Sequence, residues 1–143
     1  MLNMNSNRPI LLVEDDADDC ELIQLAFTEA GVKNPFVCFT SGDEALAYLK
    51  STKENIFFII SDVNMPRMNG LDLKKNINKD DFLNDKTIPF VFLTTSTSYL
   101  VVKEAYKLCP QGYFQKPNNI QGLTTVVKTI IDYWQKNVLP AAV

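Results

Sequence analysis

The run Ile56-Phe-Phe-Ile-Ile60 is of strand length, apolar at every position, and followed at once by Ser61-Asp62. Successive side chains of a strand point to opposite faces, so a strand apolar throughout needs cover on both sides. The chain then turns through Met65-Pro66 and Asn69-Gly70 before a helical pattern begins at Leu71. One carboxylate, Asp62, is thereby carried out to the C-terminal end of a buried strand.

The same pattern recurs along the chain. Pro9 to Val13, Phe36 to Phe39, Ile88 to Leu93 and Gly112 to Gln115 read as four further strands. Between them, Leu22, Ile23, Leu25, Ala26 and Ala30 recur at helical spacing with Gly31 as a C-cap, and Asp43 to Lys50 carries Ala45, Leu46 and Leu49 on one face. Leu71, Leu73 and Ile77 begin a third helix that fades into Asn78 to Lys86, a polar stretch that reads as an exposed loop. Tyr99 to Leu108 forms the fourth helix, and Pro110 ends it. In the fifth, Leu123, Val126, Val127, Ile130, Ile131 and Trp134 make a core-facing stripe.

Five strands alternating with five helices predict an α/β fold, a doubly wound parallel sheet with helices on both faces. A chain of 143 residues has room for one domain, with a core over about residues 8 to 136 and no output domain after it. The net charge of -3 and the lack of a basic patch exclude a nucleic-acid surface. The apolar run at the N-terminus is too short for a signal peptide or a membrane span, so a soluble, cytoplasmic protein is expected. Cys20, Cys38 and Cys109 are odd in number without C-x-x-C spacing, and reduced thiols are expected. The chain has no histidine, which removes histidine-based triads and imidazole metal sites.

In open α/β sheets, ligands sit outside the carboxyl ends of the strands. Glu14 and Asp15 end the first strand, Asp62 the third, Thr94 the fourth and Lys116 the fifth, so all five gather on one edge. The second strand ends in Thr40-Ser41-Gly42, with nothing ionisable. Carboxylates brought together repel and resist ionisation unless a cation joins them. A hard divalent ion such as Mg²⁺ resolves that conflict through oxygen ligands. With Lys116 and the Thr94 hydroxyl, such a site suits phosphoryl transfer with Asp62 as nucleophile. The acids Asp16, Asp18 and Asp19 also lie at a helix start, where the helix dipole favours negative charge, and for Asp18 and Asp19 that structural role is the reading adopted.

The motifs Ile10-Leu-Leu-Val-Glu-Asp-Asp16, Ser61-Asp-Val-Asn-Met-Pro-Arg-Met-Asn-Gly-Leu71, Pro89-Phe-Val-Phe-Leu-Thr-Thr95 and Gly112-Tyr-Phe-Gln-Lys-Pro117 resemble those of response regulator receiver domains, the phosphoacceptor modules of two-component signalling. The resemblance spans nearly the whole chain. It implies a flavodoxin-like (βα)5 fold with strand order 2-1-3-4-5. It also implies that Asp62 is the phosphorylated aspartate, and that Glu14, Asp15 and Asp62 hold Mg²⁺ with the backbone carbonyl of Asn64. Met65-Pro66 and Gly70 would keep that carbonyl in place. Thr94 and Lys116 would bond the phosphoryl group, and Thr94 and Tyr113 would switch together on activation. A cis bond before Pro117 is common in the family.

Partners implied are a histidine kinase or phosphotransfer protein, an unknown downstream protein, and a second copy docking through the helix over 99–108, the strand over 112–115 and the last helix. Tyr133, Val138 and Leu139 would extend that interface. The segment over 78–86 and Leu93-Thr-Thr-Ser96 resemble a subgroup of single-domain receivers, some of which partner phytochrome-type kinases. Thr95, where Ala is frequent, and Cys109, where Gly often ends the helix, depart from the common pattern.

Two other classes compete. An aspartyl-nucleophile phosphohydrolase would need a general acid two residues beyond Asp62, where Asn64 stands. A receiver-like binding module without phosphorylation would not retain every expected residue type at the site. Flavin binding fits worse, because the first strand opens onto acids that repel phosphate. The expected activity is that of a phosphoacceptor with slow self-phosphorylation and self-dephosphorylation, not of a turnover enzyme.

Overall fold

The computed structural model describes residues 7–139. Five strands, β1 (Ile10–Val13), β2 (Phe36–Phe39), β3 (Phe58–Ser61), β4 (Phe90–Thr94) and β5 (Gly112–Gln115), pair in parallel in the order β2-β1-β3-β4-β5. Six helices connect and cover them: α1 (Ala17–Glu29), α2 (Gly42–Ser51), α3 (Gly70–Lys79), α4 (Asp81–Asp85), α5 (Tyr99–Lys107) and α6 (Ile120–Gln135).

The alternation of each strand sorts its side chains into two cores. Ile10, Leu12, Phe58, Ile60, Val91 and Leu93 face α1 and α6, where Phe27, Val127, Ile130 and Trp134 meet them. Leu11, Val13, Ile59, Phe90 and Phe92 face the opposite layer, with Ala45, Leu49, Leu73, Ile77 and Ala105. Both faces are therefore dry, which is why β1, β3 and β4 are apolar at nearly every position. Phe58 is fully buried and stacks on Trp134 with ring centroids 5.4 Å apart.

Polar residues at the strand ends set where the helices begin. The Asp16 carboxylate accepts from the backbone N–H groups of Asp18 and Asp19 at 2.9 and 3.2 Å, capping α1. Asn69 and Asp72 form a reciprocal capping box on α3. Gly31, just past α1, takes a left-handed φ of 93°.

Four expectations are corrected. The stretch 78–86 is not a loop: α3 runs to Lys79, Asp80 caps a further helix by accepting from the Leu83 N–H at 3.0 Å, and Leu83 is buried. One apolar anchor and one cap suffice for a single turn, a signal that a polar composition hides. Cys20 and Cys38 are joined in a disulfide rather than both free, because the inner face of α1 lies over β2 and brings together two sulfurs that chain spacing does not relate. Cys109 is free and exposed. No peptide bond among the described residues is cis, and Lys116 is aimed with a trans bond before Pro117 by its backbone N–H donating to the Thr94 carbonyl at 2.7 Å. Leu139 packs against the core, so of the three tail residues only Tyr133 and Val138 are exposed.

Phe58→Ala removes a fully buried ring and is expected to lower unfolding free energy by about 3–5 kcal/mol, read from urea midpoints. Iodoacetamide applied to denatured, unreduced protein is expected to modify one thiol per chain, Cys109, and all three after reduction.

Candidate metal centre

The strand register assembles the site. Val13 of β1 pairs with Ser61 of β3, so the next residues, Glu14 and Asp62, leave neighbouring strands side by side. Thr94 of β4 pairs with Gln115 of β5, which brings Lys116 alongside. The sheet order runs outward in both directions from β1 and β3, and the edge between their C-terminal ends is the crevice where such sheets bind ligands.

Lys116 is the hub of this edge. Its Nζ lies 3.1 Å from Glu14 Oε2, 3.1 Å from Asp19 Oδ2 and 3.2 Å from Asp62 Oδ2. The other oxygen of Asp62, Oδ1, accepts from the Val63 and Asn64 backbone N–H groups at 2.6 and 3.3 Å. The Thr94 hydroxyl, fully buried, accepts from the Ser96 N–H at 3.4 Å and lies close enough to the Asp62 carboxylate to favour its ionised form. Beyond Thr94, Tyr113 packs its ring on Phe92 and donates its hydroxyl to the Ser96 carbonyl at 2.7 Å. Gly70 is required here: a Cβ would overlap the Asp62 carbonyl oxygen.

Burial and this network set the protonation states. Burial pushes the Glu14 carboxyl up to about 8, and its hydrogen bond to Asp62 and the charge of Asp62 push the same way against Lys116. Burial acts on Asp62 too, but hydrogen bonds from Thr94 and Glu14 and the charge of Lys116 overcome it and hold Asp62 below the ordinary carboxyl range. Burial disfavours the Lys116 ammonium, yet the charges of Asp62 and Glu14 outweigh that and raise its pKa. The two acids are thus pushed apart, Asp62 toward its ionised form and Glu14 toward its protonated one.

Glu14, Asp15 and Asp62 bring one oxygen each within 4.8 Å of one another, with Glu14 and Asp62 buried and Asp15 exposed. An all-oxygen donor set that retains a proton against its own repulsion fits a hard divalent cation, which would take the proton's place. The anticipated residues Glu14, Asp15, Asp62, Thr94 and Lys116 lie together at this edge, Tyr113 is tied to the segment after Thr94, and Asn64 meets Asp62 through its N–H rather than its carbonyl. Asp19 was assigned a helix-start role only and is also a direct partner of Lys116.

The sequence of residues 10–128 matches the response regulator receiver domain. The chain belongs to this family. The receiver is 32% identical to the response regulator Rcp1 of a Synechocystis species, over 96% of its own length and 97% of that protein. Its fold overlays the phosphorylated cyanobacterial phytochrome response regulator RcpA with a TM-score of 0.83 at 31% identity, covering 94% of this chain and 99% of that one. The Mn²⁺-bound form of Rcp1 aligns with a TM-score of 0.81 at 29% identity, covering 94% and 99%. The strand order is the flavodoxin-like one that the resemblance implied. No helix among the described residues is long and apolar enough to cross a membrane.

The raised Glu14 pKa gives metal-free stability a definite pH dependence. Between about pH 4.5 and 8 the unfolded chain has released the Glu14 proton and the folded one retains it, so stability falls as pH rises through that window. Thermal melting in chelator across the window is expected to show this fall, and Glu14→Gln is expected to reduce it.

Proposed function

We propose that this receiver is a response regulator that accepts a phosphoryl group on Asp62 from a histidine kinase or phosphotransfer protein, in a Mg²⁺-dependent reaction in the cytoplasm. It then signals through protein contacts that phosphorylation switches. The observation that carries this reading is the meeting of the Asp62 carboxylate with Lys116, Thr94 and two further acids at one strand edge.

Asp62 is held ionised, as a nucleophile must be, and its Oδ1 is fixed by two backbone N–H groups. A carboxylate oxygen attacks phosphorus, the phosphorus–nitrogen bond of the donor phosphoimidazole breaks, and its electron pair stays on the imidazole nitrogen, which takes up a proton. Mg²⁺ held by Glu14, Asp15, Asp62 and the Asn64 carbonyl would supply charge neutralisation to the phosphoryl oxygens. Lys116, shared among three carboxylates before the reaction, turns to the new phosphoryl oxygens. Thr94 redirects its hydroxyl from the Asp62 carboxylate to the same group.

Movement of Thr94 displaces the segment through Ser96, whose carbonyl holds the Tyr113 hydroxyl. The switch therefore ends on α5 and β5, where Tyr99, Leu100 and Tyr106 are exposed. That face, with Tyr133 of α6, is the proposed docking surface for a downstream protein or a second copy. Phytochrome-type histidine kinases are the proposed donors, on the similarity to RcpA.

Incubation with acetyl phosphate and Mg²⁺ is expected to add the mass of one phosphoryl group, and Asp62→Asn is expected to abolish the gain. A gain that persists in that variant overturns the assignment. Because a cation displaces the Glu14 proton, Mg²⁺ affinity by calorimetry is expected to rise with pH and level off above about 8.

A further inference from the structure

At the opposite end of the sheet from Asp62, a cavity of about 340 Å³ opens between α3, α4 and the segment joining α5 to β5. Ile77, Leu83, Ile88 and Leu108 supply an apolar wall. Its charged lining is entirely basic, Lys74 and Lys107, although the chain as a whole is acidic. Lys107 is already paired with Glu104 at 3.2 Å.

Lys74 is different. It is only 8% exposed, and among the described residues it makes no hydrogen bond and no ion pair. Its ammonium lies 5.5 Å from the centroid of the Phe90 ring, and the Cys109 thiol, on the same cavity wall, is the ionisable group that acts on its charge. The Lys74 stem is covered by the core while its ammonium reaches the cavity, burial lowers its pKa, and no carboxylate lines the space beside it. Amide groups stand on the same rim: Gln111 accepts from the Phe90 N–H at 2.7 Å through its oxygen, which leaves its NH₂ as a donor, and the Asn84 side chain also lines the space.

We propose that this cavity is a binding site for a small amphiphilic anion, an organic acid whose carboxylate or phosphate pairs with Lys74 while its apolar body lies against Ile77, Leu83 and Leu108. The size matches small-molecule sites, which combine apolar walls with few polar groups. An anion supplies the counter-charge that the protein omits.

The test uses benzoate and phenyl phosphate as anionic probes and benzyl alcohol as the neutral isostere, titrated into ¹⁵N-labelled protein and followed by amide shifts. Saturable shifts at Ile77, Leu108 and Gln111 are expected with at least one anion and not with the alcohol. Whichever anion saturates separates a carboxylate source from a phosphate source. Lys74→Met keeps the side-chain length and removes the charge, and it is expected to bind the anion about tenfold more weakly or worse. Equal binding by benzyl alcohol, unchanged anion affinity in Lys74→Met, or shifts scattered over surface lysines without saturation would each overturn the proposal. The comparison of the three probes on the unaltered protein decides the matter even if the variant fails to fold.

Discussion

Like charges gathered at one edge of a buried sheet must be neutralised, and in this receiver a single ammonium does most of that work. Lys116 reaches Glu14, Asp19 and Asp62 at nearly equal distances, so its charge is divided among three carboxylates drawn from two different connections. In a site of low dielectric such contacts are strong, and their loss leaves repulsion uncompensated. Burial and the charge of Asp62 push the Glu14 pKa up to about 8 against the Lys116 charge. The edge is thus held in a state that a divalent cation or a phosphoryl group can each replace, because both compete for the same partners.

The scaffold makes that competition possible by keeping everything beneath it rigid. Alternate residues of β1, β3 and β4 interdigitate with two separate helical layers, so no strand can shift its register without moving apolar side chains from one core to the other. Asp62 is further tied down through its own backbone, with its N–H donating to the Val13 carbonyl and Gly70 closing against its carbonyl. Above that scaffold lie the side chain of Lys116, the Thr94 hydroxyl and the segment whose Ser96 carbonyl holds Tyr113.

Legibility in the sequence tracked the size of the local signal. The five strands were readable because burial on both faces writes an uninterrupted apolar run, and the last helix because its stripe repeats over four turns. The short helix α4 was not, since Leu83 is its lone buried residue and its cap, Asp80, resembles any polar loop residue. The cluster at the strand ends was readable because a parallel sheet sends every C-terminal strand end to one edge. Asp19 is the reverse case: its neighbours in sequence explain it as a helix-start acid, and only the reach of Lys116 across the strand ends brings the two together.

Residue order by itself determined the fold class, the strand-end placement of Glu14, Asp15, Asp62, Thr94 and Lys116, and the family, because period, turn chemistry and motif are local properties. The tertiary structure alone decided which groups touch. It paired Cys20 with Cys38, divided Lys116 among three acids, pushed the Glu14 pKa up and placed Lys74 on the wall of a half-apolar cavity. Each of those outcomes depends on distance and dielectric between segments far apart in the chain, and both come into existence only when the layers pack.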